Sequence, residues 1–238
     1  MKKYIFMFLF FILMMPPVEA QHKKVFVPGE TISYTIKKFG VKMGKAKLVY
    51  HGVVPFDKGV AALIVFTAQS LNFYDREEIF CDPQSLRPLR VRRNLNIWGK
   101  KEQIVEDYQP ERQQVVIKKT AGGKTVVQKI EKAGSLDNIY CFMYRFRKMP
   151  PPGPQSVLHL KLPTAEVFLE LVKMARIRSA GKVYQAAFMQ SRSKEYRLWF
   201  GQDEHRTPIR IDGAIGLGSA SLIMDDYQIT SVLAQERR

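Results

Sequence analysis

Residues 135–154 read SLDNIYCFMYRFRKMPPPGP, and this stretch decides how the rest of the chain must be arranged. Leu136, Ile139, Tyr140, Met143 and Phe146 recur at steps of three and four, so they share one face of a helix. Ser135 is a suitable N-cap residue, because its hydroxyl can accept from an unpaired N–H of the first turn. Asp137 then places a carboxylate in that turn, and Arg145, Arg147 and Lys148 place cations in the last turns, both in the sense the helix dipole favours. Pro150, Pro151 and Pro152 cannot continue a helix. The spacing therefore predicts a helix over 135–148, and a helix with one apolar face needs another layer to bury it.

On both sides of this stretch the rhythm changes to alternation, the mark of half-buried strands. Ile32, Tyr34 and Ile36 alternate with Thr31, Ser33 and Thr35. Leu89, Val91, Leu95 and Ile97 fall on one face of a strand, and Arg90, Arg92, Asn94 and Asn96 fall on the other. Val115 and Ile117 repeat the pattern. Val60 to Ala68 is apolar almost throughout and suits a strand covered on both faces. Turn signals separate the runs at Pro28-Gly29, Asp57-Lys58-Gly59, Asp82-Pro83 and Ala121-Gly122-Gly123-Lys124, the last reading as a hairpin. Strands resume after the prolines, from Val157 onward. Val167 to Ala175 fits a helix face as well as a strand, but the Ser179-Ala180-Gly181-Lys182 turn and the apolar run beyond it favour a hairpin. Trp199, on a later strand, reads as a core anchor. The fold expected is mainly β: a curved antiparallel sheet or open half-barrel around one central helix. The Pro-rich stretch connects the helix back to the same sheet, giving a single domain over 21–238.

The chain has 238 residues, of which 46% are hydrophobic and 25% charged, enough apolar material for a core and against disorder as the main state. Its first twenty residues are of another kind. Lys2 and Lys3 precede an apolar run from Tyr4 to Met15, Pro16 and Pro17 break it, and Val18-Glu19-Ala20 precedes Gln21. This is the pattern of a secretory signal peptide, with cleavage expected near Ala20. The run falls short of the ~20 residues that span a bilayer as a helix. Cleavage would remove Lys2, Lys3 and Glu19, two cations and one anion, and lower the net charge from +16 by one to +15. In an exported chain such an excess points away from nucleic acid and toward anionic lipid, glycolipid or acidic polysaccharide, whose encounter a cationic surface speeds.

Several motifs appear in order: Phe26-Val27-Pro28-Gly29-Glu30 through Tyr34, Asp82-Pro83-Gln84-Ser85-Leu86-Arg87-Pro88, Leu136-Asp137-Asn138-Ile139-Tyr140, and Leu198-Trp199-Phe200 leading to Asp203 and Pro208. With Gly40, Gly44 and a glycine at 216 or 218, they resemble a family of secreted bacterial envelope proteins whose conserved domain is a domain of unknown function. The resemblance covers nearly the whole mature chain. It implies a mostly antiparallel β domain around one helix, located in the periplasm, and carries over no catalytic residue. The stretch Gln202-Asp203-Glu204-His205-Arg206 departs from the family, which has small or basic residues after the Asp.

The chemistry legible in the residues is sparse. Two cysteines and four scattered histidines argue against a zinc-thiolate or all-histidine centre, and no metal or other cofactor is expected. There is no nucleophile elbow, zincin helix or phosphate-cradling loop. Asp203-Glu204-His205-Arg206 is the densest polar cluster, but neighbours along an extended chain point to opposite faces, so Glu204 and His205 are not expected to meet. Arg90, Arg92, Arg176, Arg178 and Arg210 are candidate ligands for phosphate or carboxylate, because a guanidinium fork matches such oxygens. Trp98 and Trp199, with Phe66, Phe73, Phe142 and Phe168, are candidates for an apolar concave lining with arginines at its rim. Cys81 and Cys141 have two readings. A disulfide would close a loop of about 60 residues and stabilise by roughly 4 kcal/mol; two separately buried thiols are the alternative, since Cys141 lies beside the main apolar face of the helix. The functional expectation is a non-enzymatic periplasmic protein that binds or carries an anionic envelope component. The alternatives are an assembly partner in an envelope complex, and an enzyme acting on polysaccharide.

Overall fold

The computed structural model describes residues 25–150, 153, 156–213 and 220–230. The strands in chain order are β1 (Glu30–Lys38), β2 (Val41–Phe56), β3 (Gly59–Ser70), β4 (Phe73–Cys81), β5 (Pro88–Ile97), β6 (Lys100–Gln109), β7 (Gln114–Ala121), β8 (Lys124–Glu131), β9 (Val157–Lys161), β10 (Glu166–Ser179), β11 (Lys182–Ser191), β12 (Arg197–Gly201), β13 (Pro208–Asp212) and β14 (Ser221–Ile229). The helix α1 (Ile139–Lys148) lies between β8 and β9, and Pro110–Arg112 makes a single turn of 3-10 helix between β6 and β7. The expected signal peptide, Pro151, Pro152, Pro154, residues 214–219 and residues beyond 230 lie outside the described residues.

All fourteen strands belong to one sheet, in the order β8-β7-β6-β5-β4-β3-β2-β1-β14-β13-β12-β11-β10-β9. Every neighbouring pair is antiparallel. Chain neighbours are sheet neighbours except at one place. β1 pairs with β14, and β8 and β9 do not pair. The meander thus joins its first and last strands and stays open where the chain leaves β8, carries α1 inward and returns at β9. This is the open half-barrel around a helix that alternation predicts.

Alternation also sets which side chains face the helix. Ile32, Tyr34 and Ile36 are buried in one core with the inward residues of β2, β3, β4 and β10 to β14. In β3, Ala61, Ala62, Ile64, Val65, Phe66 and Ala68 are all buried, as a strand covered on both faces requires. Ala121 pairs with Lys124 across Gly122 and Gly123, whose φ angles of +55° and +76° make the tight hairpin turn that glycine adopts without strain. The 167–175 ambiguity resolves as the β10–β11 hairpin.

The helix begins later than its spacing implies. Its N-cap is Asn138, not Ser135: the Asn138 Oδ1 accepts from the N–H of Tyr140 at 2.9 Å and of Cys141 at 3.4 Å. Asp137 therefore lies just before the helix rather than in its first turn. Its N–H donates to the Lys161 carbonyl at 2.8 Å, tying the approach to the β9 edge, and its carboxylate pairs with Arg145 and, at 3.4 Å, Arg87. The Met149 N–H closes the C-terminus on the Phe146 carbonyl, followed by Pro150.

Seven of the ten helix residues are buried, so α1 is surrounded rather than laid on one face. Tyr140 stacks on Phe66 with centroids 4.8 Å apart, Tyr144 meets Phe26 edge-on at 4.9 Å, and Phe146 packs on Phe200 at 4.3 Å. Phe66 and Phe142 are therefore packed core rather than the walls of an open apolar hollow. Trp199 packs against the core only from its outer side, half-buried rather than enclosed. Leu198 and Phe200 take the inward positions, which turns Trp199 outward, where it stacks on Phe188 at 4.5 Å beneath the Arg210 guanidinium.

Candidate functional site

The inward register carries two arginine clusters among its apolar residues. In the first, Arg147 of α1 is clamped by both carboxylate oxygens of Glu30 on β1, at 2.8 and 2.5 Å. Both side chains are 0% exposed. The guanidinium also donates to the carbonyls of His205, at 2.8 Å, and Val25, at 3.4 Å, and lies 5.1 and 5.0 Å from the rings of Phe26 and Tyr144. The Tyr227 hydroxyl donates to Glu30 at 2.8 Å. One guanidinium and one carboxylate thus join the helix, the first strand, the last strand and the β12–β13 loop.

The second cluster lies on β4, β5 and β6. Arg93 donates to Asp75 through two bonds of 2.8 and 2.5 Å and stands 3.5 Å from Glu77. Glu106 sits close by and accepts from the Tyr108 hydroxyl at 2.7 Å. Here three carboxyl groups share one guanidinium. Burial raises the Glu77 carboxyl to about 8; Arg93 opposes that rise, and Asp75 and Glu106 add to it. Burial also raises Glu106, against the Tyr108 hydrogen bond and Arg93. Among the described residues no group of three or more His, Cys, Asp or Glu side chains is arranged to hold a metal ion.

The residues singled out in the sequence are dispersed. Arg90 and Arg92 point outward from β5: Arg90 pairs with Asp107 and, at 3.1 Å, Asp57, and Arg92 lies 5.3 Å over the Phe80 ring. Arg176 and Arg178 are exposed on β10, nine places away across the sheet. Arg210 chelates Asp212 from β13 at 2.8 and 3.1 Å. Phe168 faces outward against His159, Phe73 is buried, and Trp98 stands 75% exposed in the β5–β6 turn. No single arginine-rimmed mouth forms from these residues. Cys81 and Cys141 are free, fully buried thiols. Burial, then contact with Cys81, raises the Cys141 thiol well above its ordinary value.

Asp203 and His205 do meet residues from other strands, around a hollow of about 270 Å³ with Tyr184, Asp225 and Tyr227. Glu204 and His205 also meet, at 3.3 Å, because the chain turns there instead of running extended: the Arg206 N–H closes on the Asp203 carbonyl. Four of these groups, Asp203, His205, Asp225 and Tyr227, are already engaged. His205 Nδ1 lies 3.2 Å from the Val25 carbonyl, Asp225 accepts from Thr35 at 2.5 Å, Tyr227 donates to Glu30, and Asp203 accepts from the His205 N–H at 3.1 Å. The hollow reads as scaffold rather than as acid/base machinery.

The surface differs from the interior in charge. From residue 31 to 56 the chain contains no acidic residue, and Lys42, Lys45 and Lys47 stand exposed on β2. Lys100 and Lys101 continue the excess at the start of β6. Among the described residues these five ammonium groups have no carboxylate within ion-pair distance. Their neighbouring acids are spent elsewhere, Asp75 on Arg93 and Glu102 on Lys119 at 2.8 Å. No described helix is long and apolar enough to cross a membrane.

Residues 31–225 match the model of a family described as protein of unknown function, DUF3108. None of the curated proteins matches the chain in sequence. Among solved structures, the chain is similar to a β-barrel-like protein of domain of unknown function DUF1849 from Brucella abortus, with TM-score 0.50 and 10% identity over 85% of this chain and 98% of that one. It is also similar to a candidate exported protein with a YmcC-like fold from Bacteroides fragilis, with TM-score 0.32 and 7% identity over 85% of this chain and 96% of the other. A candidate lipoprotein from Parabacteroides distasonis matches with TM-score 0.31 and 8% identity over the same shares. The Brucella likeness bears on the fold alone.

Proposed function

Because the chain belongs to the DUF3108 family, whose description assigns no activity, we propose a role from its own geometry. The protein is exported to the periplasm, loses residues 1–20, and there holds an anionic envelope component, a lipid, glycolipid or acidic polysaccharide, without chemistry of its own. The component is bound on the cationic outer surface rather than carried within the sheet, since α1 already fills the concave side. The observation that carries this reading is the acid-free run from 31 to 56, which together with Lys100 and Lys101 leaves ammonium groups without internal counter-charges. Such a surface raises the local concentration of polyanions and loses that hold as salt screens it.

The test is binding of the purified protein to phosphatidylglycerol vesicles and to polygalacturonate at low and high salt. Binding to at least one of them, weakened by salt, is expected; no binding to either overturns the reading. A second reading, in which an envelope partner adds a strand to the sheet, is favoured by the open edge of β8, nearly all of whose residues are exposed. It predicts that replacing β8 backbone donors with proline releases a co-purifying protein and leaves polyanion binding unchanged.

A further inference from the structure

In an up-and-down meander alternate turns share one end of the sheet. The β1–β2, β3–β4 and β5–β6 turns therefore lie together, and their tips are Phe39, Leu71 and Trp98. These side chains are 87%, 95% and 75% exposed, the highest values among the large hydrophobic residues described. Two of the turns are joined, β3–β4 to β5–β6: the Trp98 N–H donates to the Asn72 carbonyl at 2.8 Å. Leu71, Trp98 and Met43 rim a hollow of about 280 Å³ floored by Ile36, Phe73 and Ile97.

Two of the tips occupy backbone positions that disfavour them. Phe39 and Trp98 have φ of +51° and +52°, each followed by a glycine at +80°. This is the turn that asparagine, aspartate or glycine adopts at least cost. A bulky ring there adds steric strain and exposes apolar surface at the same time. Neither the turn nor the core benefits from it, so these rings serve something outside the chain.

The surroundings limit what that is. Lys37, Lys42, Lys45, Lys100 and Lys101 lie in or beside these turns, and no acidic residue occurs from 31 to 56. A second copy of this chain would bring the same cations face to face. An acidic polysaccharide would satisfy the lysines but offers no apolar layer for Phe39, Leu71 and Trp98. A bilayer with anionic headgroups offers both: a negative plane for the ammonium groups and an acyl boundary beneath it, where Trp and Phe side chains settle. The turns at the opposite end are unlike this. Asp57-Lys58, Asp82 to Arg87 and Pro110-Glu111-Arg112 mix both signs of charge, and the apolar Leu86 there is buried.

We propose that the end formed by the three turns is a membrane-docking surface, which seats Phe39, Leu71 and Trp98 in the interface of an anionic phospholipid bilayer under a ring of lysines. This rests on the polyanion-binding reading above and names its partner.

The test is co-sedimentation of the purified protein with vesicles of phosphatidylcholine alone or with phosphatidylglycerol. The wild type is compared with the F39N/L71N/W98N triple variant. Asparagine suits the positive φ at 39 and 98, and Leu71 is 95% exposed, so the variant is expected to keep or raise its melting temperature. The wild type is expected to bind the phosphatidylglycerol vesicles, and the variant to lose roughly tenfold or more of that affinity while keeping any salt-sensitive binding to polygalacturonate. Equal vesicle binding by both proteins overturns the docking surface and leaves polyanion binding standing. Wild-type binding to polygalacturonate but not to vesicles does the same. Self-association of the wild type, lost in the variant without vesicle binding, overturns it in favour of a second copy. Binding to neither probe overturns the underlying reading as well.

Discussion

Arg147 and Arg93 both face the inside of the sheet, and their surroundings differ. Arg147 has one carboxylate, Glu30, and the His205 and Val25 carbonyls and the Phe26 ring surround the rest of its guanidinium; its side chain is 0% exposed. Arg93 has Asp75, Glu77 and Glu106 around it and is 24% exposed. The first arrangement is balanced in charge and joins parts of the chain 117 residues apart. The second has more carboxyl groups than its cation can neutralise, so one of them keeps its proton. A buried ion pair between remote elements fixes the fold, whereas an unbalanced one within adjacent strands makes stability depend on pH.

Breaking the balanced pair should have the largest effect. Glu30→Gln leaves the Arg147 guanidinium buried without its counter-charge, and a loss of about 3–5 kcal/mol in unfolding free energy is expected from urea denaturation. Arg93→Met should cost less, about 1–3 kcal/mol, because the Arg93 side chain is partly open to water. If the two variants lose equal stability, the distinction between the clusters fails.

Glu77→Gln sharpens the comparison through pH. The Glu77 carboxyl holds its proton to about pH 8 in the folded chain, against an ordinary value of 4.5. Between these values the folded state binds more protons than the unfolded state, so stability falls as pH rises and the contribution is gone above about 8. Melting curves of the wild type from pH 5 to 8 should therefore descend relative to Glu77→Gln, by at most about 1.4 kcal/mol per pH unit. Parallel curves would place the Glu77 titration elsewhere.

Much of the fold was legible because alternation and turn chemistry are local. Residues 121–124 announce their hairpin, and Val91 and Leu95 face the core as alternation predicts, but a bulge at the start of β5 puts Pro88 rather than Leu89 in the inward register opposite Cys81, and Ile97 is exposed at the strand's end. Residue type alone does not fix the start of α1, because Ser135 and Asn138 are both good caps. Asn138 holds the cap because Asp137 before it is drawn to Lys161, Arg145 and Arg87. The second cluster had a readable signal: Asp75, Glu77 and Arg93 sit in the apolar register between Phe73 and Ile79 and between Val91 and Leu95. The Glu30–Arg147 pair had no such signal, since Glu30 reads as part of a turn motif and Arg147 as a favourable helix-end cation. The candidate arginine ligands are visible as residue types, but their location across the sheet depends on strand order, which alternation does not encode. The exposed tips were hidden for another reason: an apolar residue before a glycine looks the same in sequence whether it packs or projects.

The pairing of β1 with β14 carries a kinetic consequence. Each other seam in the sheet joins consecutive strands, so hairpins can zip one after another over short distances. Closing β1 onto β14 instead brings together segments such as Glu30 and Ile229. That search has a high loop-closure entropy and rewards the chain only at the end. Refolding should therefore be paced by this one remote closure, with the local ladders forming ahead of it.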